Sequence, residues 1–424
     1  MKTHMNFLYI VRLITLLTAF LPLSCSDNGT IEEKLQRVLD KGISRYNVRG
    51  VSAAAIFPDG SVWTGVSGIS HDTVSLKPDM LFAIGSVTKN IVAALTLKLA
   101  EDSLLSLDDP LSNWLPKYPH IDGNITIRQL LNHTSGIYMF WENQDIWDDL
   151  KKDRAKVWTP EEVLTYIKEP YFAPGEGSRY SNTNYLLLAM IIQKATGSSL
   201  STEIRRHFWQ PLKIDNAYLS IEEDIPENQL AHVYGDNFNN DGSYLDLTFL
   251  PRASHESITY GSSGIFITAK DLVRWCHALF EGKVLQQQSL DEMQQFIDID
   301  ISRQNKGYGL GLELYAKSIA SGEKSIGHCG GNIGTTTYMV HLPEHNMSIV
   351  VMINAFPNRC AGVITKGLIS KILREYKVIG IIPYIAFFPY GSVLISFSIF
   401  WTVIIIMRIR KKSRLTINSF IWQV

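Results

Sequence analysis

Phe82-Ala83-Ile84-Gly85-Ser86-Val87-Thr88-Lys89 is the stretch of sequence that indicates most about the fold and the chemistry of this chain. Apolar residues recur at helical spacing after Gly85, so we predict a helix that starts at Ser86. Lys89 then lies one turn later on the same side. A serine needs a base to become a nucleophile, and a buried lysine can have its pKa lowered enough to serve. Alone, the pattern is more typical of a helix-capping serine and a surface lysine than of a catalytic pair.

A second polar group, Tyr180-Ser181-Asn182, stands just before an apolar helical pattern that begins at Tyr185. A tyrosine on such a loop can transfer protons if a cation lowers its pKa, and an asparagine amide can hold a substrate carbonyl or amide. The structural alternative is a tyrosine packed over the helix with an asparagine at its start.

A third group, His328-Cys329-Gly330-Gly331, ends a predicted strand. The histidine could hold or exchange protons near the tyrosine. The two glycines let a substrate approach the backbone closely. A strand-end histidine beside a glycine turn is the alternative interpretation.

Strand-like runs lie at both ends of the globular part of the chain. Val51 to Phe57 and Ser61 to Val66 predict an N-terminal hairpin, after a helix that a Thr30–Glu33 capping box begins. Four further runs are predicted at Tyr308–Tyr315, Lys324–His328, Thr335–Leu342 and Met347–Asn354, followed by a helix over Arg359–Tyr376. We therefore predict an α+β fold (an α/β sandwich), in which one antiparallel sheet is flanked by the terminal helices and a helical subdomain packs beside it.

These three groups, in this order, resemble the penicillin-recognising serine hydrolases, which include class C β-lactamases, D-Ala-D-Ala carboxypeptidases and related esterases. The resemblance covers roughly residues 31–376. Within that range three further stretches also match the family: Ile127–Gly136, Gly261–Gly264 and Tyr308–Gly311. It implies a β-lactamase/transpeptidase-like fold. The sequence has no Cys-x-x-Cys and no cluster of histidine and cysteine, so we predict no metal and no cofactor. We take residues 31–377 as the serine hydrolase domain.

The resemblance also implies a role for each matching residue. Ser86 would be the acylated nucleophile, Lys89 its base and Tyr180 the proton-transferring phenol. His328 stands where the family has lysine or histidine in its third motif. Four further residues would bind substrate: Asn182, Cys329, Gly330 and Gly331. The backbone amides of Ser86 and Gly331 would form the oxyanion hole.

One residue departs from the family pattern. Cys329 stands where the family usually has threonine or serine, whose hydroxyl binds a substrate carboxylate, and a thiol is a poor donor. His328 in place of lysine also removes a permanent cation. Both changes favour an esterase or peptidase over an efficient β-lactamase.

The two ends of the chain predict a membrane protein. Residues 1–25 have a basic start and a short apolar run before Ser24-Cys25, which is typical of a secretory signal. Lipidation of Cys25, simple cleavage and an uncleaved anchor all remain open. No charged residue occurs from Ile379 to Met407, which exceeds the about 20 residues that a spanning helix needs. We predict a transmembrane helix over 383–407 and a basic cytoplasmic tail over 408–424.

Composition excludes one class of partner. The formal net charge of −1 and the lack of a basic stripe argue against nucleic acid. The sequence therefore predicts a membrane-anchored serine hydrolase that acts on a small-molecule or peptide acyl substrate on the extracytoplasmic (periplasmic) side. The alternative is a non-catalytic receptor of the cell envelope that uses the same pocket.

Overall fold

The computed structural model describes residues 29–386, except 47, 236–244, 300–304, 316–318, 321 and 357–359. The predicted signal (1–25), most of the predicted span (383–407) and the basic tail (408–424) lie outside these residues. Within them, no helix is both long enough and apolar enough to cross a bilayer. The chain divides into two units after Ile369, and the architecture below concerns the first; in the second, the described residues continue the last helix.

The helices are α1 (Ile31–Tyr46), α2 (Thr88–Glu101), α3 (Ile127–Leu131), α4 (Gln144–Lys152), α5 (Pro160–Leu164), α6 (Asn182–Thr196), α7 (Leu200–Ile204), α8 (Gln210–Leu212), α9 (Ala253–Ile258), α10 (Ala269–Phe280), α11 (Gln287–Met293) and α12 (Cys360–Ala386). The strands are β1 (Gly50–Ile56), β2 (Val62–His71), β3 (Val74–Ser75), β4 (Phe82–Ala83), β5 (Ala217–Leu219), β6 (Tyr234–Gly235), β7 (Leu245–Asp246), β8 (Ile265–Ile267), β9 (Asn305–Tyr308), β10 (Glu313–Tyr315), β11 (Ile326–Asn332), β12 (Thr335–Leu342), β13 (Met347–Ile353) and β14 (Ala355–Phe356).

The main sheet has eight strands in the order β3-β2-β1-β13-β12-β11-β10-β9. Its neighbouring strands are antiparallel, and the N-terminal hairpin joins the C-terminal strands where Ala54 of β1 pairs with Val350 of β13. The predicted antiparallel sheet built from both ends of the chain is therefore confirmed. The run predicted as one strand over Tyr308–Tyr315 is two strands, β9 and β10, because the chain turns between them.

Helices cover both faces of this sheet. On one face α1 lies against β2, where the Gln36 amide donates to the Val66 carbonyl at 2.9 Å, and α1 begins with the predicted capping box. On the other face α10 lies against the strands, with the rings of Phe280 and His341 stacked at 4.3 Å. Charged and polar residues line the outer side of α1, so its apolar stripe faces inward.

Helix α2 runs through the middle of the domain. Its residues from Thr88 to Leu97 are all buried, as expected for a helix that is apolar all round. The Trp275 indole of α10 donates to the Asn90 side chain at 2.9 Å, and that amide donates to the Gly311 carbonyl at 3.2 Å. These contacts hold α2 rigidly between the sheet and the helical region, with its N-terminus at the junction of the two.

Candidate active site

The N-terminus of α2 presents the predicted nucleophile. Residues Gly85–Val87 form one 3₁₀ turn before α2, and Ser86 within it is partly exposed. Lys89, one turn later, is fully buried, and its Nζ lies 2.9 Å from the Ser86 Oγ. The sequence prediction that a hydroxyl and an amine share one side of a helix start is met by this geometry.

The protonation of Lys89 follows from its surroundings. Burial lowers the pKa of its ammonium well below the usual range, and the Glu313 carboxylate opposes that shift. Its Nζ also lies 2.8 Å from the Ser262 carbonyl, which can only accept a hydrogen bond. A neutral amine that donates one hydrogen to Ser262 is free to direct its lone pair at the Ser86 hydroxyl. Lys89 is thereby placed to act as a base.

Tyr180, two residues before α6, also lies beside the nucleophile. The Lys89 Nζ is 5.0 Å from the centroid of its ring. Burial raises the pKa of Tyr180 well above its usual range, and hydrogen bonding to the Ser86 hydroxyl opposes that shift. The sequence-based condition for proton transfer, a pKa lowered by a cation, is not met, because burial of the phenol outweighs the opposing effects. Tyr180 is a neutral phenol that can donate a proton.

Asn182 is the first residue of α6. Its side-chain Oδ1 is buried and has no hydrogen-bond partner among the described residues. A buried carbonyl oxygen without a donor costs free energy unless a ligand or water supplies one. This oxygen is therefore suited to accept a hydrogen bond from a substrate amide, the role that the family resemblance implies.

The strand β11 closes the site opposite Ser86. An ideal Cβ at Gly330 would lie 2.1 Å from the Ile84 carbonyl and 2.9 Å from the Ser86 amide nitrogen. One at Gly85, whose φ is +55°, would lie 2.8 Å from the Gly331 amide nitrogen. Only glycines allow the two backbones to come this close. The Ser86 and Gly331 amides are thus brought to neighbouring positions, as an oxyanion hole requires.

We expect Gly330→Ala to disrupt this contact. The added methyl meets backbone atoms that cannot rotate away, so the loop carrying Ser86 must shift. The expected cost is about 1–3 kcal/mol of unfolding free energy, together with loss of hydrolytic activity. Thermal unfolding and an ester hydrolysis assay measure the two effects. Gly123→Ala is the control, since its methyl meets only the Ser112 side chain, and equal effects of both changes would contradict the assignment.

His328 is buried at 1 % exposure and bonds to a residue that the sequence did not single out. Its Nδ1 lies 2.6 Å from the Cys329 carbonyl, which can only accept, so Nδ1 carries the hydrogen. Its Nε2 then accepts from the Tyr308 hydroxyl at 3.0 Å. Burial lowers the pKa of His328, and the neutral ring of Tyr308 lies between it and Tyr180. Among the described residues, His328 is connected to Tyr180 only through these contacts of Tyr308.

His133 is a second residue that sequence reasoning did not assign to the site. It is fully buried, with its ring 4.4 Å from that of Tyr180 and 4.7 Å from that of Tyr308. Its Nδ1 accepts from the Ser181 backbone amide at 3.3 Å. This bond fixes the backbone next to Tyr180. The run Asn132-His133-Thr134 belonged to the family resemblance, which was the only signal that could have found it.

We expect His133 to stay neutral throughout the physiological range. Burial lowers its pKa well below 6.5, and the positive charges that Lys89 and His328 could carry add to the effect. Protonation would also abolish the Nδ1 acceptor that holds Ser181. An NMR titration of the imidazole should therefore show no transition between about pH 6 and pH 8. A midpoint in that interval would show that the ring is not held as described.

Comparison with known proteins agrees with this geometry. The sequence profile of the family described as Beta-lactamase matches residues 33–367. The chain belongs to this family. Membership confirms the resemblance and the serine-hydrolase class that the sequence predicts, and with them the β-lactamase/transpeptidase-like α+β fold.

The chain is similar to proteins of several kinds. Penicillin-binding protein 4* of Bacillus subtilis (strain 168) is 27 % identical over 66 % of this chain, which spans 62 % of that protein's length. Esterase EstB of Burkholderia gladioli is 26 % identical over 68 % of this chain, and the match covers 79 % of the esterase's own length. The D-amino acid amidase from Ochrobactrum anthropi SV3, complexed with D-phenylalanine, superimposes with a TM-score of 0.72 at 26 % identity, covering 82 % of this chain and 99 % of its own.

Proposed function

We propose that this protein is a membrane-anchored serine hydrolase that cleaves ester or amide bonds through an acyl-Ser86 intermediate, as an esterase or peptidase rather than an efficient β-lactamase. The observation that carries the proposal is the contact of Ser86 Oγ with a buried Lys89 amine whose remaining hydrogen bond goes to a carbonyl. The named relatives, an esterase and a D-amino acid amidase among them, support a substrate with an ester or a D-amino-acid amide bond.

The chemistry follows from the positions of the groups. Lys89 takes the hydroxyl proton as Ser86 Oγ forms a bond to the substrate carbonyl carbon. The Ser86 and Gly331 amides stabilise the resulting oxyanion. Collapse breaks the bond to the leaving alcohol or amine, which receives a proton through Tyr180. Water then attacks the acyl-Ser86 carbonyl, its proton passes to the same groups, and the acid leaves with the serine restored.

Each oxyanion donor of this kind typically contributes about 3 kcal/mol to transition-state stabilisation. The helix N-terminus adds a favourable potential for the same negative charge. Asn182 is placed to hold the acyl side of the substrate through its buried, unpartnered oxygen. These contributions favour a catalytic site over a receptor that merely binds.

A hydrolysis panel tests the substrate class. We expect Ser86-dependent turnover of p-nitrophenyl esters or D-amino-acid amides by the full chain, and much slower turnover of a chromogenic cephalosporin. Ser86→Ala, assayed in parallel, gives the background. A cephalosporin hydrolysed faster than every ester and amide would contradict the esterase or peptidase assignment, and no Ser86-dependent turnover of any substrate would contradict catalysis.

The membrane part of the proposal rests on the sequence of residues 383–407 and their basic flank. It places the catalytic domain on the extracytoplasmic side. A reporter fused after Val424 should be active in the cytoplasm and protected from protease in intact cells. A protease-accessible reporter would reverse the assigned topology.

A further inference from the structure

The edge of β11 that faces away from β12 is only partly paired. Among the described residues, β10 pairs with β11 through Glu313 with Gly327 and Leu314 with Ile326, and the Tyr315 amide donates to the Ser325 carbonyl at 3.0 Å; from Gly327 towards Gly331 no further pair with β10 follows. The Cys329 amide, which points to this same edge, donates instead to the Glu313 Oε2 at 3.0 Å. Amides two residues apart in a strand point to the same edge, so the Gly331 amide shares it. We call the unpaired part of this β11 edge the free edge. It begins beside Glu313 and ends at the oxyanion hole.

Glu313 brings a carboxylate to this edge without a permanent cation beside it. It is 1 % exposed, and the charged partner that the described residues give it is His328, with Nδ1 3.7 Å from its Oε1. The His328 hydrogen goes to the Cys329 carbonyl, and burial lowers the pKa of the ring, so it is neutral at neutral pH. Burial likewise lowers the pKa of the Lys89 ammonium, and Glu313 opposes that shift. The two Glu313 oxygens accept from the Cys329 amide and thiol, and no lysine or arginine among the described residues forms an ion pair with them.

The donors that could bind a substrate carboxylate here are already taken. The Cys329 amide is bonded to Glu313, and the Cys329 Sγ lies 3.6 Å from its other oxygen. Burial raises the pKa of this thiol well above its usual range, so it stays protonated and uses its hydrogen towards Glu313. A second carboxylate at this edge would meet an acceptor instead of a donor.

On the basis of the acyl-Ser86 function proposed above, we infer that Glu313 sets the charge preference of the site: it excludes substrates whose leaving group carries a carboxylate and selects neutral leaving groups. A leaving group that extends along β11 from the oxyanion hole approaches Glu313. Two like charges brought together in a protein interior repel far more strongly than they do in water. Glu313 need not touch the substrate, and we describe it as a specificity-determining residue.

Two aryl esters that differ by one charge test this inference. 3-Carbamoylphenyl acetate and 3-carboxyphenyl acetate have leaving groups of nearly equal size, and each rate is normalised to its hydroxide-catalysed rate. We expect wild type to prefer the carbamoyl ester by at least about tenfold in kcat/KM, as expected for a like-charge contact. Glu313→Gln keeps an acceptor for the Cys329 amide and should reduce the preference to within about threefold. Glu161→Gln, an exposed carboxylate on α5, should retain the wild-type ratio.

The outcomes separate this inference from the function on which it rests. Equal turnover of both esters by wild type would overturn the inference without any variant. So would an unchanged preference in a folded Glu313→Gln, provided that Ser86→Ala abolishes turnover. If neither ester is hydrolysed in a Ser86-dependent way, and the substrate panel gives the same result, the proposed function itself fails.

Discussion

Ser86→Ala is expected to lower kcat/KM for any ester that the protein hydrolyses by at least about 10⁴-fold, because the group that forms the acyl intermediate is gone. What remains is the contribution of the oxyanion amides and of substrate binding. The substitution removes one hydrogen bond to Lys89 from a partly exposed position, so unfolding free energy should change by no more than about 1 kcal/mol.

A matched serine makes this result interpretable. Ser112→Ala changes an exposed serine outside the site and should retain wild-type activity. Steady-state hydrolysis and thermal unfolding of the three proteins separate a chemical effect from a folding effect. More than about 1 % of wild-type activity in a folded Ser86→Ala protein would show that another residue is the nucleophile.

Lys89→Met is expected to lower kcat/KM by about 10²–10⁴-fold, the usual contribution of a positioned base. Methionine fills a similar buried volume but has no lone pair in place of Nζ. It also leaves the Ser262 carbonyl without its donor, at a cost of about 1–3 kcal/mol in stability. Lys98→Met on the same helix is the control, since Lys98 pairs with Glu101 at the end of α2.

The pH profile of wild type provides the second readout for Lys89. Burial lowers its pKa, so the amine is neutral above that pKa and protonated below it. Only the neutral amine can accept the Ser86 proton. The value of kcat/KM should therefore fall about tenfold per pH unit on the acidic side of this pKa and level off above it. Lys89→Met should lack this acidic limb, and a limb identical to that of wild type would assign the base to another group.

Local sequence patterns predicted much of the fold. The Thr30–Glu33 capping box, the N-terminal hairpin and the strands β12 and β13 have signals within a few residues of each other, and all are found in the structure. The Ser86–Lys89 contact was predictable for the same reason, since helical geometry places residues three apart on one side. Short-range geometry leaves few alternatives in such cases.

The residues that surround this pair could not be predicted from local patterns. Ser262, which receives the Lys89 hydrogen bond, is 173 residues away in sequence. Tyr308 meets His328 only because β9, β10 and β11 are adjacent in the sheet. The direction of the Tyr180 pKa shift depends on how deeply the phenol is buried, which composition does not reveal.

Glu313 shows the same limit most clearly. Its sequence context, Leu312-Glu313-Leu314, is typical of a surface position in an ordinary strand. In the structure it is buried at the first residue of β10, where the free edge of β11 begins. That position depends on the lengths of two adjacent strands, and no periodicity of the sequence encodes it.

Covalent labelling with a fluorophosphonate, followed by peptide mass spectrometry, tests the central claim most directly. We expect one adduct per chain, carried by the peptide that contains Ser86, with labelling lost in Ser86→Ala and greatly slowed in Lys89→Met. An adduct on any other residue, or labelling of Ser86→Ala at the wild-type rate, would contradict it.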